Sequence, residues 1–206
     1  MGIAIGSTFA SWKHYHTYLL FIGGWLRVSF FDTYTSPDYN FDAAKVLYDD
    51  PAVAIQKARS FYRTSSGISF DGLKKLKQTM SFTQMRFYCS KNGTRSDMIT
   101  TNDEKGRAVV DYFTSNSTVL PDACGSFSSH GNNKLMKSCE EWNEGGGKWG
   151  DSNKITFGNE RLYGMIASIT NHSFSMGLIR AKRNKFLCDD NESSDLNGGR
   201  WLIFVR

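Results

Sequence analysis

The sequence lacks the motifs that identify most enzymes and membrane proteins. No G-x-S-x-G, H-E-x-x-H, P-loop or G-x-G-x-x-G motif stands in a strand-and-helix context where it could work. The apolar run at residues 18–22 is far shorter than the roughly 20 residues that a membrane-spanning helix needs. The paired carboxylates Glu140 and Glu141 are adjacent, so their side chains point in different directions. We therefore expect a protein that is not an enzyme and that has no membrane span.

The chain also lacks a dense basic stripe. Its formal net charge is only +5, and the basic residues are scattered along the sequence. Nucleic-acid binding normally needs a concentrated basic surface or a known module, so we expect no nucleic-acid partner. Two short basic clusters, at residues 74–77 and 180–185, are candidates for binding sulfated glycans or other anionic surfaces. The alternative is that both clusters are solvated faces.

Cysteine is scarce, with four residues in a chain of 206, but the number is even. The C-x₂₋₄-C spacing of zinc sites is missing, so disulfides are the better interpretation. Four cysteines allow three pairings, of which we favour Cys89–Cys188 and Cys124–Cys139. The first joins two segments with similar flanking residues, which we expect to be neighbouring strands, and the second closes a local loop. Disulfides persist outside the cell, which predicts an extracellular location.

Four N-x-[ST] triplets also favour a secreted protein. None has proline at the middle position, so each asparagine can accept an N-linked glycan if the chain enters a secretory pathway. The four predicted glycosylation sites are Asn92, Asn116, Asn171 and Asn191. The apolar run near the N-terminus is not followed by a small-residue cleavage site, and we interpret it as a buried strand. If the protein is secreted, we expect its signal peptide to be missing from this chain.

The composition and the apolar pattern predict a β-rich α+β fold. Aromatic residues make up 14% of the chain, as is typical of β-rich extracellular modules. Asp50 and Pro51 suit the start of a helix that ends near Thr64, and a second helix is expected at residues 71–80. Strands are expected at residues 18–22, 25–31, 82–91, 108–113, 162–170, 174–179, 185–188 and 201–205. We expect one disulfide-bonded domain over residues 1–206, mostly an antiparallel sheet, with one or two helices in its N-terminal half and a candidate arm at 1–17.

Two segments have the residue types of a metal site. Asp189, Asp190 and Asp195 offer carboxylate oxygens within one loop, and calcium prefers oxygen ligands. The loop lacks the spacing and the glycine of an EF-hand, and the alternative is a solvated acidic turn. Calcium is therefore the candidate cofactor, and no cofactor is certain from the sequence. His14 and His16 lie on one face of an expected strand, where they could bind zinc or copper and support a metal-dependent hydrolase; the alternative is that they are incidental.

Aromatic residues around a glycine-rich loop form a candidate ligand-binding site. Trp142, Trp149 and Tyr163 flank the three glycines at residues 145–147. Exposed rings on polar loops stack on sugars, and neighbouring Asn, Asp and Glu side chains could bind the sugar hydroxyls. The alternative is that one or both tryptophans anchor the long loop to the sheet.

Several segments of the chain form a recognisable pattern. They include Phe82-Thr-Gln-Met-Arg-Phe-Tyr-Cys89 and Trp201-Leu-Ile-Phe-Val-Arg206, together with residues 40–51, 106–114, 123–126, 139–142, 161–163 and 186–190. The pattern resembles a family of secreted proteins of corals and sea anemones, some of which are similar to skeletal matrix components, and it covers residues 25–206. The resemblance implies an extracellular, disulfide-bonded protein and carries no catalytic residues. The Cys188-Asp189 pair before Gly198-Gly199 is also similar to the opening of fibrinogen-like domains.

Together these patterns predict a secreted, N-glycosylated recognition module that is not an enzyme. Its expected partners are glycans or extracellular-matrix proteins, bound through Trp142, Trp149 and the loop at residues 189–195. The alternative is a structural matrix or filament subunit, which would self-associate through exposed aromatic residues and strand edges without a small ligand.

Overall fold

The fold is given by a computed structural model, which describes ten segments of the chain. They are residues 24–32, 43–59, 65–91, 94–130, 148–150, 158–164, 167–169, 174–177, 187–188 and 199–206. The strand expected at residues 18–22 lies outside them. In chain order the described elements are β1 (Leu26–Asp32), α1 (Ala43–Val46), β2 (Leu47–Tyr48), α2 (Pro51–Arg59), β3 (Ser66–Ile68), α3 (Phe70–Met80), β4 (Met85–Lys91), β5 (Thr94–Thr100), α4 (Glu104–Thr114), β6 (Phe127–Ser129), β7 (Lys148–Trp149), α5 (Asn159–Tyr163), β8 (Ala167–Ile169), β9 (Phe174–Gly177), β10 (Leu187–Cys188) and β11 (Gly199–Val205).

The described strands form two sheets. The larger has the order β2-β3-β1-β11-β4-β5-β6, and the smaller has the order β10-β9-β8-β7. Each pairing among these strands is antiparallel except that of β2 with β3, which α2 connects as a crossover helix. The prediction of a mostly antiparallel α+β fold is therefore confirmed. Among the described residues, no helix has the length and apolar character that crossing a bilayer requires.

Helix α2 begins where the sequence predicts, and α3 begins one residue before the predicted start at residue 71. Helix α2 begins at Pro51, directly after Asp50. Asp50 Oδ1 caps the helix by accepting a hydrogen bond from the backbone N–H of Ala52 at 2.8 Å. Ser69 Oγ accepts a hydrogen bond from the backbone N–H of Gly72 at 3.0 Å and caps α3 in the same way. Both helices turn apolar side chains inward, namely Ala54, Ile55 and Ala58 of α2 and Phe70, Leu73 and Leu76 of α3.

Residues 108–113 belong to helix α4, so the prediction of a strand there is wrong. Asp103 caps this helix by accepting a hydrogen bond from the N–H of Gly106 at 3.0 Å, and this bond lowers the pKa of the Asp103 carboxyl. Val109 and Phe113 lie four residues apart and are both fully buried, as helical spacing requires. β-Branched and aromatic residues favour strands on average, but the cap and the spacing outweigh that preference here.

The strand expected at residues 162–170 is wrong in its first part. Its beginning belongs to the short helix α5, and β8 starts only at Ala167. The strands expected at residues 174–179 and 185–188 correspond to β9 and β10. The described strands of this region belong to the smaller sheet. The region therefore forms a second layer and does not extend the larger sheet.

One face of the larger sheet, the inner face, packs in the core. Phe87 points to this face from the middle of β4, and it is fully buried. Its ring contacts Phe113 of α4 at a centroid distance of 5.2 Å and Trp149 of β7 at 5.5 Å. On the same inner face, Phe31 of β1 contacts Tyr163 of α5 at a ring-centroid distance of 5.3 Å. The inner face is thus covered by helices and by the smaller sheet.

The Cys89–Cys188 disulfide joins the two sheets, which confirms this predicted pair. Both cysteines are fully buried, and their Cα atoms are 5.7 Å apart. The expectation that the two segments are neighbouring strands is wrong, because β4 pairs with β11 and β5 while β10 belongs to the smaller sheet. Cys124 is also disulfide-bonded, and its predicted partner Cys139 lies outside the described residues.

Gly106 lies so close to the preceding loop that a side chain does not fit. A Cβ atom at this position would stand 1.9 Å from the carbonyl oxygen of Thr101. We expect Gly106→Ala to lower the free energy of unfolding by about 3 kcal/mol, because the backbone must shift to make room for the methyl group. This loss outweighs the better helix propensity of alanine. Urea unfolding measures this change. Lys105→Ala at the exposed neighbouring position should cost less than about 0.5 kcal/mol, and equal losses would contradict the steric explanation.

Candidate functional site

The face of the larger sheet opposite the core, which we call the outer face, is rich in arginine. It is formed by the residues of four adjacent strands that alternate with the inward-facing ones. In β1 a bulge between Arg27 and Ser29 adds one residue to the strand. The outer-face residues of β1 are therefore 27, 30 and 32 rather than every second residue. The outer-face residues are Arg27, Phe30 and Asp32 of β1, Arg200, Leu202 and Phe204 of β11, Arg86, Tyr88 and Ser90 of β4, and Arg95, Asp97 and Ile99 of β5.

The strand register arranges the outer face in three rows that run across the four strands. Side chains directly opposite each other on adjacent strands are close enough to interact. The first row is Arg27, Phe204, Arg86 and Ile99; the second is Phe30, Leu202, Tyr88 and Asp97; the third is Asp32, Arg200, Ser90 and Arg95. In the first row cationic and aromatic side chains are direct neighbours, and in the third row Ser90 lies between two arginines.

The buried carboxylate of Asp97 binds two of the outer-face arginines. Arg86 donates from Nε and Nη2 to the two carboxylate oxygens of Asp97, each at 2.7 Å, and Arg95 Nη2 donates to Oδ2 at 3.4 Å. The side chain of Asp97 is only 1% exposed. The hydrogen bond to Asp97 raises the pKa of Arg86 against the opposing effect of burial. The bidentate pair fixes the orientation of the Arg86 guanidinium.

A second carboxylate anchors the third row at its other end. Arg200 Nε donates to Asp32 Oδ2 at 3.0 Å, and the Asp32 side chain is largely buried. The arginine side chains of this row remain open to solvent, with exposed fractions of 55% for Arg200 and 58% for Arg95. Arg27 in the first row is more enclosed, and its pKa is lowered by burial and by the nearby charge of Arg59. The third row is therefore the open cationic edge of the face.

The guanidinium groups of the outer face lie over aromatic rings. Ring-centroid distances are 5.3 Å for Arg27 over Phe30, 5.4 Å for Arg86 over Phe204 and 5.2 Å for Arg95 over Tyr88. Just beyond the end of β11, Arg206 lies 4.5 Å from the Trp25 ring. Such contacts and the carboxylate pairs restrict the side chains before any ligand arrives, which reduces the entropy lost on binding. The outer face is thus a preorganised set of hydrogen-bond donors.

The structure places Trp149 and Tyr163 in the core, so the predicted stacking platform is wrong for these two residues. Both side chains are fully buried. Trp149 Nε1 donates to Ser126 Oγ at 2.8 Å, and Tyr163 OH is 2.6 Å from Ser29 Oγ and donates to the carbonyl oxygen of Ile68. These hydroxyl and carbonyl partners allow the polar atoms of both rings to be buried. Their faces are therefore closed to a sugar, and Trp149 has the anchoring role of the alternative interpretation.

Most of the other predicted site residues lie outside the described part of the chain. This holds for Trp142, for the candidate calcium ligands Asp189, Asp190 and Asp195, for His14 and His16, and for the glycosylation sites Asn92, Asn171 and Asn191. Asn116 is described and exposed on the loop that follows α4. In the basic cluster at 74–77, Lys77 Nζ donates to the carbonyl oxygen of Phe82, and burial lowers the Lys77 pKa. That lysine serves the local structure.

Sequence reasoning missed the outer-face arginines, although a local signal for them exists. Residues 86, 88 and 90 are Arg, Tyr and Ser, residues 95, 97 and 99 are Arg, Asp and Ile, and residues 200, 202 and 204 are Arg, Leu and Phe. Period-two spacing of this kind marks one face of a strand. What the sequence does not give is the order of the strands, which brings the three arginine-led runs side by side. Comparisons of the chain with protein-family models, curated proteins and solved structures gave no match.

Proposed function

We propose that this protein is a secreted, N-glycosylated recognition module that binds a glycan or an extracellular-matrix partner without catalysing a reaction. The observation that carries the proposal is the outer face, where arginines held by carboxylates and rings are open to solvent on a rigid sheet. A preorganised and partly exposed surface of this kind suits recognition of an extended partner.

The chemistry of the outer-face side chains favours binding over proton transfer. Arginine stays protonated at neutral pH, so it donates hydrogen bonds but does not act as a general base. The carboxylates of Asp32 and Asp97 already accept hydrogen bonds from arginines and are buried beneath them. The face therefore offers fixed charge and donors, which are the means of recognition.

The extracellular part of the proposal is supported by covalent features of the chain. The Cys89–Cys188 disulfide is formed between buried sulfurs, and disulfides persist in oxidising compartments. Asn116 has the sequon sequence and an exposed side chain, whose Oδ1 accepts a hydrogen bond from Lys74 Nζ at 3.2 Å. An exposed loop asparagine can carry a glycan without disturbing the core. The resemblance to secreted cnidarian proteins leads to the same proposal.

The test is an array of glycans and matrix proteins, probed with oxidised protein from a secreting host. We expect saturable binding to at least one glycan or matrix class. Ser90→Glu should abolish it, because a carboxylate would stand between Arg200 and Arg95 in the third row. Gln78→Glu, which makes the same charge change at an exposed position of α3, should bind like the wild type. An EDTA arm tests the predicted calcium site at Asp189, Asp190 and Asp195.

A blank array from folded protein would overturn the proposed function. If the same protein then assembles with increasing concentration and without ligand, the structural-subunit alternative becomes the better account. Analytical ultracentrifugation over a wide concentration range distinguishes the two. Binding that survives Ser90→Glu would keep a recognition role but place it away from the outer face.

A further inference from the structure

We infer that the ligand of the outer face is a sulfated glycan, bound across the third row by Arg95 and Arg200. This inference rests on the proposed function, since it names the ligand class for the same face. It differs from the sequence-based candidates for anionic glycans, which lie at residues 74–77 and 180–185.

The outer face presents positive charge although it contains carboxylates. Among the described residues, four of the chain's eleven arginines belong to the face, and Arg206 adjoins it. Its described carboxylates, Asp32 and Asp97, are buried beneath the guanidinium groups. The acids hold the arginines from below while Arg95 and Arg200 are more than half exposed. A ligand that approaches from solvent therefore meets cations first, which is charge complementarity to a polyanion.

The third row spaces its open arginines for a ligand with repeated anionic groups. Arg200 lies opposite Ser90, and Ser90 lies opposite Arg95. Since neighbouring strands are separated by about 4.8 Å, the two arginine backbones are about 10 Å apart. A chain that runs across the strands can place one sulfate at each arginine and a hydroxyl near Ser90. Guanidinium groups bind tetrahedral and planar oxyanions through paired N–H donors, which lysine cannot do.

The aromatic rings of the outer face are covered by guanidinium groups, which favours a sulfated glycan over a nucleic acid as the ligand. Single-stranded nucleic acids gain much of their affinity by stacking bases on exposed aromatic faces. On the outer face, guanidinium groups lie over the rings of Phe30, Tyr88 and Phe204. The Arg95 and Arg200 side chains are more than half exposed, and guanidinium groups suit sulfate oxygens rather than stacked bases. The same covering argues against stacking of a neutral sugar.

The test compares three immobilised probes: heparin, chemically desulfated heparin and single-stranded DNA. At physiological salt we expect the oxidised protein to bind heparin at least about tenfold more tightly than either other probe. Arg95→Gln with Arg200→Gln should weaken heparin binding by at least about tenfold, since hydrogen bonds to charged groups are lost. The slope of log Kd against log salt should fall by about 1 to 2. Arg95→Lys with Arg200→Lys should lie between the wild type and the Gln variant.

The matched control is Lys105→Gln with Arg107→Gln, which removes the same charge from exposed positions of α4. It should leave heparin binding within about twofold, and an equal loss would show that net charge alone is measured. If Arg200→Gln weakens the fold by releasing Asp32, Ser90→Glu keeps both arginines and should still abolish binding. Equal binding of desulfated heparin or DNA overturns the sulfated-glycan inference. A positive array without heparin binding overturns this inference alone, and a blank array with no heparin binding overturns the proposed function as well.

Discussion

Replacing Arg161 with methionine is expected to lower the free energy of unfolding by about 3–5 kcal/mol. The Arg161 side chain is buried, and its guanidinium donates to three backbone carbonyls, those of Tyr112 at 2.8 Å, Ser115 at 3.0 Å and Ser117 at 2.8 Å. These carbonyls belong to the last turn of α4 and to the loop that follows it. Methionine fills similar space but donates nothing, so the carbonyls lose their partner, at about 1–3 kcal/mol for each buried group.

Urea unfolding followed by circular dichroism measures the effect of Arg161→Met. Arg107→Met is the matched control, because Arg107 is an exposed arginine of α4, the helix whose last carbonyls Arg161 contacts, and its loss should cost less than about 0.5 kcal/mol. Arg161→Lys keeps the charge but cannot reach three carbonyls from one planar group, so it should lie between the two. A loss below about 1 kcal/mol for Arg161→Met would contradict the capping role. The variant also removes the contact of the guanidinium carbon with the Tyr112 ring, whose centroid is 4.2 Å away.

Arg161 illustrates why part of the fold was predictable and part was not. The start of α2 is predictable because Asp50 and Pro51 are adjacent in the sequence and act on the first turn of the helix. At the end of α4, in contrast, the backbone carbonyls accept hydrogen bonds from Arg161. Arg161 lies 49 residues beyond Tyr112 in the sequence. The local run of β-branched and aromatic residues in α4 favours a strand and obscures two local helix signals, the Asp103 cap and the four-residue spacing of Val109 and Phe113. The contact with Arg161 is not visible in the sequence at all.

The candidate site was hidden for the same physical reason. Asp32 and Arg200 pair across a sequence separation of 168, because β1 lies beside β11 in the sheet. The alternation within one strand predicts which residues share a face, but the neighbours of that strand depend on the whole topology. Trp149 and Tyr163 were mistaken for surface residues because glycine-rich surroundings are typical of loops. The serine hydroxyls that let their rings be buried come from other elements.

Replacing both Cys89 and Cys188 with alanine is expected to lower the free energy of unfolding by about 4–5 kcal/mol. The disulfide links residues 99 apart in sequence, and the chain-entropy model gives about 4.7 kcal/mol for a closed loop of about 100 residues. Both sulfurs are buried between the two sheets, so alanine leaves no unpaired polar group in their place. Urea unfolding of the oxidised variant and of the oxidised wild type gives the difference directly.

The Cys124→Ala and Cys139→Ala double variant provides the comparison for that result. Its predicted loop has about 15 residues, for which the same model gives about 3 kcal/mol. If cross-linking of the unfolded chain dominates, the Cys89 and Cys188 variant must lose more stability than this one. A reversed order would mean that packing of the sulfurs, rather than loop closure, sets the contribution. Reductant should lower the stability of the wild type and of each double variant, but leave a variant that lacks all four cysteines unchanged. The difference between the stability losses of the two double variants therefore separates loop closure in the unfolded chain, which grows with loop length, from packing of the sulfurs in the folded one.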